Sequence, residues 1–276
     1  MPELPDLEAI KAVLTERILG QPIEAVEVRL PLMVRTLTAD DFAASLTGRH
    51  FTAVDRRGKH LILTLDSGLF LVINPMLMGR LSYVPRGEKV RAKTHVVIRL
   101  ADGMDLRYVD QKTMGKVYLT DDLARIPAFS EQGPEALDIG PDEFRARLKR
   151  HPGEIKGILT NAAFVAGIGN AYADEILWRA RLYPLRKRPS LSDDEIATLY
   201  AAMRATLLDA IEVVRGRMGE QTDREVRDFL QVHGKGGQVC PRCGAPISEI
   251  TANQRITNFC RQCQPGALVD TWRRHT

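Results

Sequence analysis

A chain of 276 residues exceeds the ~100–200 usual for one domain, so two domains with separate cores are expected. Its 44% hydrophobic and 27% charged residues exclude a disordered protein, and no apolar run approaches the ~20 residues of a membrane span. A net charge of +4 and a pI near 8.9 are mildly basic, which alone is a faint nucleic-acid footprint. The N-terminus lacks the basic stretch and apolar core of a secretory leader, so a cytoplasmic protein is expected.

The chain opens Met1-Pro2-Glu3-Leu4-Pro5. Removal of Met1 before the small Pro2 would expose a secondary amine beside a carboxylate, and α-amino groups titrate near ~7.7–8.0, so part of it is unprotonated at neutral pH. The plainer reading is a Pro-rich start with Pro5 in the first turn of a helix. Leu7, Ile10, Leu14 and Ile18 then recur at helical spacing until Gly20-Gln21-Pro22. From about residue 23 to 120 the pattern predicts strands at 23–30, 51–54, 61–65, 69–73, 96–100 and 106–109. Asp66-Ser67-Gly68 and Asp102-Gly103 supply hairpin turns.

Residues 121–141 carry Pro127, Gly133, Pro134, Gly140 and Pro141 and read as a linker. Beyond it the pattern is helical. Ser192-Asp-Asp-Glu195 is a capping box before Ile196, Leu199, Met203 and Leu207. Gly167-Ile168-Gly169-Asn170 precedes an apolar helix. It offers either a close backbone approach to a phosphate-sized anion or a tight turn with Asn170 as N-cap.

The four cysteines fall as Cys240-Pro-Arg-Cys243 and Cys260-Arg-Gln-Cys263. Two such knuckles supply four thiolates for one tetrahedral Zn²⁺, and with every position taken by protein the metal is structural. Basic residues cluster at Arg56, Arg57 and Lys59, at Arg145, Arg147, Lys149 and Arg150, and at Arg186, Lys187 and Arg188. Arg215, Arg217, Arg273 and Arg274 lie beyond. Their spread along the chain fits a long polyanion better than a compact ligand.

Four collinear signatures resemble the Fpg/Nei (formamidopyrimidine-DNA glycosylase / endonuclease VIII) family over essentially the whole chain. They are Pro2 to Pro5, Arg56-Arg57-Gly58-Lys59-His60-Leu61, Gly167 to Glu175, and the cysteine ribbon with Arg255 to Gln264. The resemblance implies an α+β chain. A helix and antiparallel β-sandwich form the catalytic domain (1–120), and the 121–141 linker leads to a helix-two-turn-helix domain (142–234). A zinc-finger ribbon closes the chain (235–276), and damaged or abasic double-stranded DNA lies in the cleft.

It further implies that Pro2 attacks C1′, expels the base and forms an iminium that permits β- and then δ-elimination, with Glu3 shuttling protons and Lys59 beside them. Lys59, Asn170 and Arg255 would grip phosphates, Gly169 would let backbone approach the strand, and Lys156 would lie near the flipped nucleotide. Leu77 aligns with the wedge that fills the vacated stack. Lys112 and Met114 align with the residues that meet the orphaned base.

Several positions depart from the family. The wedge loop reads Asn74-Pro75-Met76-Leu77-Met78-Gly79, with Pro75 for a leucine and Met76 for a glycine. Lys112 loses the planar fork of arginine and Met114 the stacking ring of phenylalanine. Asp6 replaces a glutamate and Asn161 an aspartate. Arg227 to Gly234 runs almost directly into Cys240, without the longer loop that caps 8-oxoguanine. An oxidised pyrimidine, a formamidopyrimidine or a larger adduct all remain open as substrates. A lesion-binding protein of the same fold with little turnover, and a plain zinc-ribbon nucleic-acid binder, are the competing readings. No feature calls for an oligomer, and a monomer is expected.

Overall fold

The computed structural model describes residues 1–252 and 255–266. The chain divides into two compact units, Met1–Glu131 with Ile211–Val226, and Gln132–Ala210 with the chain from Arg227 onward.

The first unit begins with α1 (Leu4–Ile18), whose Leu4, Leu7, Ile10, Leu14 and Ile18 are all buried. Pro5 occupies the first turn, where a missing N–H costs nothing. The N-cap is Glu3. Its N–H donates to Asp6 Oδ2 at 2.8 Å, and its carboxylate accepts from the backbone of Asp6 in return. This reciprocal capping box satisfies two donors that the helix cannot. It also gives the family-atypical Asp6 a role, since a shorter acid closes the box.

After α1 come β1 (Ile23–Val28), β2 (Val34–Thr36), α2 (Phe42–Leu46), β3 (Phe51–Arg57), β4 (His60–Leu65) and β5 (Phe70–Asn74). β6 (Gly79–Pro85), β7 (Thr94–Leu100), β8 (Met104–Asp110) and β9 (Lys116–Thr120) follow. They form two sheets, ordered β1-β7-β8-β6 and β2-β9-β5-β4-β3. Both hairpin turns fall where expected, with Gly68 and Gly103 at φ near +83°. β2, β6 and β9 are strands the pattern did not mark. β2 spans three residues and pairs parallel with β9, so the second sheet is not purely antiparallel. β6 opens on glycine and ends on proline, which an edge strand tolerates.

That edge explains why residues 211–226, expected with the helical domain, cluster with the first unit. Tyr83 N donates to Thr222 Oγ1 at 3.2 Å, and Thr222 Oγ1 donates to Leu81 O at 2.6 Å. Arg80–Glu225 at 2.7 Å, Arg91–Asp223 at 2.6 Å and Arg17–Glu220 flank these bonds. The segment covers backbone groups that an open sheet edge would otherwise present. Such pairings have no periodicity to betray them.

The second unit holds α3 (Pro141–Leu148), α4 (Ile155–Leu159), α5 (Asn170–Arg179), most of α6 (Asp193–Met218) and the hairpin of β10 (Ile247–Ala252) and β11 (Arg255–Cys260). The capping box before α6 is formed: Ser192 N donates to Glu195 Oε2 at 2.8 Å, and Glu195 N donates to Ser192 Oγ at 3.2 Å. Asn161, in place of aspartate, still accepts from Ala163 N at 3.0 Å. Gln264 accepts from Cys260 N and donates to Leu182 O, both at 2.9 Å, tying the ribbon to the helices. Among the described residues no helix is long and apolar enough to cross a membrane.

In the first unit, Asn74 pairs with Lys116 and Gly79 with Asp110, so loops 75–78 and 111–115 leave the same end of the sheets. Buried Tyr108 lies between them. A methyl at Gly115 would stand 1.9 Å from its hydroxyl, and one at Gly79 2.4 Å. Gly115→Ala should therefore cost about 1–3 kcal/mol by overpacking. Tyr108→Phe in the same chain should recover part of that loss in chemical denaturation, and an equal loss with and without the hydroxyl would refute the contact.

His60, after the β3–β4 turn, is pulled down to about 4 by burial, with the Arg57 guanidinium adding to the effect. Asn74 Nδ2 lies 3.0 Å from its Nε2, a donor suited to a neutral ring. Between pH 6.5 and 4 the unfolded chain binds more protons here, so stability falls as pH drops through that window. The share is about 2 kcal/mol after allowing for residual exposure. In thermal melts His60→Gln should flatten this dependence; an unchanged slope counts against it.

Candidate active site and nucleic-acid interface

Pro2 sits where α1 meets both sheets. Pro2 is buried at a small apolar cavity formed by Leu7, Ile10, Leu61, Ile73, Leu81 and Tyr108, with Pro75, Gly79 and Arg80 at its margin. Glu3 is 2% exposed, its backbone held by the capping box. Its carboxylate is thereby fixed at the positive end of the helix dipole. Met1 N lies 3.5 Å from Glu225 Oε1, while Glu225 Oε2 accepts from Arg80 Nη2 at 2.7 Å.

β3 and β4 pair Arg57 with His60, leaving Gly58 and Lys59 as a two-residue turn. Gly58 has φ +56°, as the first position of a type II′ turn requires. Lys59 is thereby placed at the tip of a rigid hairpin. Arg56 is not available to a ligand in the same way, because its Nε donates to Glu8 Oε1 at 2.7 Å and its Nη1 to Gly58 O at 2.9 Å. Burial alone would push Glu8 up, but Arg56 and Lys11 outweigh it and hold the carboxyl below its ordinary value. The pair clamps α1 to the Lys59 hairpin.

The two loops at the sheet end carry the expected wedge residues. Gly79 N donates to Pro75 O at 2.8 Å, closing a five-residue α-turn, and Met76 N donates to Asn74 Oδ1 at 3.2 Å with Met76 at φ +48°. Met76, Leu77 and Met78 all stand out to solvent, Leu77 the furthest at 46% exposed. In the second loop fully buried Asp110 accepts from Lys112 N at 2.9 Å, Met114 N at 3.0 Å and Gly115 N at 2.8 Å. Lys112 is exposed and Met114 is 42% exposed. Asp110 organises this loop and was missed in the sequence. The Asp-x-Lys spacing of an Asx turn was its signal.

In the second unit Gly167 has φ +99°, and Gly169, not Asn170, is the N-cap of α5. Asn170 is the first helical residue. Its Nδ2 donates to Ile256 O at 2.8 Å, and its buried Oδ1 has no hydrogen-bond partner. Lys156, expected beside the flipped nucleotide, is 6% exposed. Its ammonium bonds Ile256 O at 2.9 Å, Thr257 Oγ1 at 2.8 Å and Asp174 Oδ1 at 2.6 Å. An ammonium has three protons, so these partners occupy it; the geometry makes it a support for the β10–β11 hairpin.

Asp174 also holds His233 Nδ1 at 2.8 Å and Asn258 N at 3.2 Å. Glu175 accepts from the backbone of Gln231, Val232 and His233 at 2.8–2.9 Å, although its burial pushes its pKa up. The short run before Cys240 is thus stitched down on α5. Arg255 opens β11, and its side chain lies outside the described residues, as do Arg273 and Arg274. Several other clustered arginines serve the fold: Arg147 donates to Ala163 O and Phe164 O, Arg188 to Lys149 O, and Arg186 pairs with Glu195.

The sulfurs of Cys240, Cys243, Cys260 and Cys263 all lie within 4.8 Å of one another. Cys243 and Cys260 are 3.4 Å apart and Cys240 and Cys263 3.9 Å. Tetrahedral Zn²⁺ with Zn–S near ~2.3 Å places its sulfurs about 3.8 Å apart, so the set fits this ion. Burial opposes charge at Cys240, but the N–H groups of Arg242 and Cys243 pull its thiol down. Burial and the neighbouring sulfurs push Cys260 and Cys263 up. A cation is what lets all four ionise together.

Residues 1–117 match the formamidopyrimidine-DNA glycosylase N-terminal domain, 132–222 its H2TH domain, and 237–266 the zinc finger found in FPG and IleRS. The chain is 40% identical over 276 residues to a formamidopyrimidine-DNA glycosylase of Heliobacterium modesticaldum, covering 96% of this chain and 100% of that one. It is 38% identical to that of Symbiobacterium thermophilum, covering 96% and 90%. Among solved structures it is similar to Lactococcus lactis Fpg bound to DNA containing N7-benzyl-Fapy-dG. The same protein bound to abasic-site DNA matches equally, each at TM-score 0.87 and 30% identity over 96% of this chain and 100% of that one. With an N-terminal Pro-Glu pair on a capped helix, a four-sulfur ribbon and these full-length matches, the chain belongs to the formamidopyrimidine-DNA glycosylase family.

Proposed function

We propose that the protein is a base-excision repair glycosylase and AP lyase acting on damaged double-stranded DNA, with Pro2 as nucleophile. The observation that carries this reading is Pro2 and Glu3 held on a capped helix beside an apolar cavity in the unit that also presents Lys59. The Pro2 nitrogen adds its lone pair to C1′ as the glycosidic bond breaks, and the base leaves with the bonding electrons and takes up the proton that the amine gives off. Glu3 delivers a proton to the ring oxygen, the sugar opens, and the nitrogen becomes an iminium. Loss of a C2′ proton into that electron sink expels the 3′ phosphate, and a second elimination expels the 5′ phosphate.

Phosphate contacts from Lys59, Arg255 and the Gly169-Asn170 backbone position the strand without reading sequence, as a scanning repair enzyme needs. The Asn170 Nδ2 bond to Ile256 O and the occupied Lys156 ammonium support a division of labour. Lys156 sets the hairpin, and the hairpin sets Asn170 and Arg255. Leu77, flanked by Met76 and Met78, fills the stack behind the extruded nucleotide, while Lys112 and Met114 meet the opposite base. Unbranched thioethers adapt to different shapes, and a single ammonium reads less than a guanidinium fork, so discrimination among opposite bases should be broad.

The short Arg227–Cys240 run, fastened to α5 through Glu175, favours formamidopyrimidines and bulkier adducts over 8-oxoguanine. Lactococcus lactis Fpg has been solved in complex with DNA containing Fapy-dG, N7-benzyl-Fapy-dG or an abasic site. A nucleoid-associated protein of the cytoplasm follows from such a substrate. One zinc ion, held by the four cysteines, would fix the ribbon that carries Arg255 and take no part in bond breaking.

With abasic duplex and borohydride, the wild-type chain should form a covalent adduct that a Pro2→Gly or N-terminally extended variant lacks; absence of any wild-type adduct would sink the enzyme reading. Glu3→Gln should slow base release about 10²–10⁴-fold. Cys260→Ser should lose zinc and DNA binding together, as metal analysis and gel shift would report, and retention of both would contradict the role given to the ribbon.

A further inference from the structure

We propose that the Arg80–Glu225 ion pair is an electrostatic device that sets the protonation of the Pro2 amine, and with it the pH range of attack. This rests on Pro2 being the nucleophile. Glu225 belongs to the segment that covers the β6 edge, and its Oε1 lies 3.5 Å from the terminal ammonium. Its other oxygen, Oε2, is taken by Arg80 Nη2 at 2.7 Å, and Arg80 Nη1 is anchored on Gly79 O at 2.9 Å. The pair thus presents its carboxylate to the Met1 ammonium, while Arg80 lines the cavity that holds Pro2. Loss of Met1 moves the amine inward by one residue, ~3.8 Å between Cα atoms, a step that a half-exposed glutamate can follow.

The other groups around the amine are committed elsewhere. α1 brings Glu3 and Asp6, joined in the capping box, and Glu8, paired with Arg56 at 2.7 Å and Lys11 at 3.2 Å. β8 brings Tyr108, a phenol that burial keeps neutral, while His60 of β4 turns its ring to Phe129. Lys59 lies on the β3–β4 turn. Arg80 and Glu225 are the charges of β6 and of the covering segment. A carboxylate stabilises the ammonium and a guanidinium opposes it, so the two members act in opposite directions on one titration. A neutral amine is needed for attack, whereas a nearby carboxylate steadies the cationic iminium that follows. A carboxylate screened by its own arginine is a compromise between these demands.

The test reads the amine directly. In trimmed enzyme labelled with ¹⁵N-proline, the Pro2 nitrogen shift is followed against pH, with no DNA present, so its outcome is separate from whether the enzyme cuts. Glu225→Gln should lower the midpoint by about half to one unit, and Arg80→Met should raise it, since Glu225 then stands unscreened. The pH at half-maximal borohydride adduct on abasic duplex should move the same way in each variant. Midpoints unchanged in both, or displaced in the same direction by both, would overturn the proposal, because a merely structural pair would weaken activity without moving either titration.

Discussion

The structure depends on keeping the end of a polypeptide still. Chain termini are ordinarily the least ordered part of a domain, yet the chemistry here is assigned to the second residue. The capping box between Glu3 and Asp6 resolves the conflict, because it makes the terminus part of the first turn of α1. α1 in turn is held by a fully apolar stripe from Leu4 to Ile18 and by Glu8 on Arg56. Arg56 also bonds Gly58, so the helix that carries Pro2 and the Lys59 turn share one anchor.

Buried carboxylates repeat this logic elsewhere. Asp110 gathers three backbone N–H groups of its loop, Glu175 gathers three from the 231–233 strap, and Asp174 joins Lys156, His233 and the β11 backbone. An unpaired buried charge is costly, so each of these is stable only in the arrangement that satisfies it, which makes each loop single-valued. The arginines show the same use of charge, since several of those described hold carbonyls and acids of the fold.

The architecture was readable where physics leaves a period or a spacing. Leu7, Ile10, Leu14 and Ile18 announce α1, Ser192 and Glu195 announce α6, and two Cys-x-x-Cys pairs announce the metal. β6 was not readable, because a Gly-to-Pro edge strand lacks clean alternation, and its cover by 219–226 depends on partners more than a hundred residues away. The distribution of cations was misleading for the same reason. In sequence Arg56 reads as part of a basic cluster and Lys156 as a lysine near the flipped nucleotide, and only long-range geometry shows that they bond Glu8, Asp174 and the Ile256 carbonyl. Glu225 carries no motif at all; its meaning is its neighbours.

The surface proposed to enter the duplex is rich in sulfur. Met76, Met78 and Met114 stand exposed around Leu77, on loops pinned to each other through Tyr108. Oxidation of a thioether to the sulfoxide turns an apolar, adaptable tip into a polar and chiral one, a change that opposes stacking among bases. The oxidants that damage guanine would therefore also blunt the probe meant to find that damage, and a cell under such stress would need methionine sulfoxide reduction to keep this repair running.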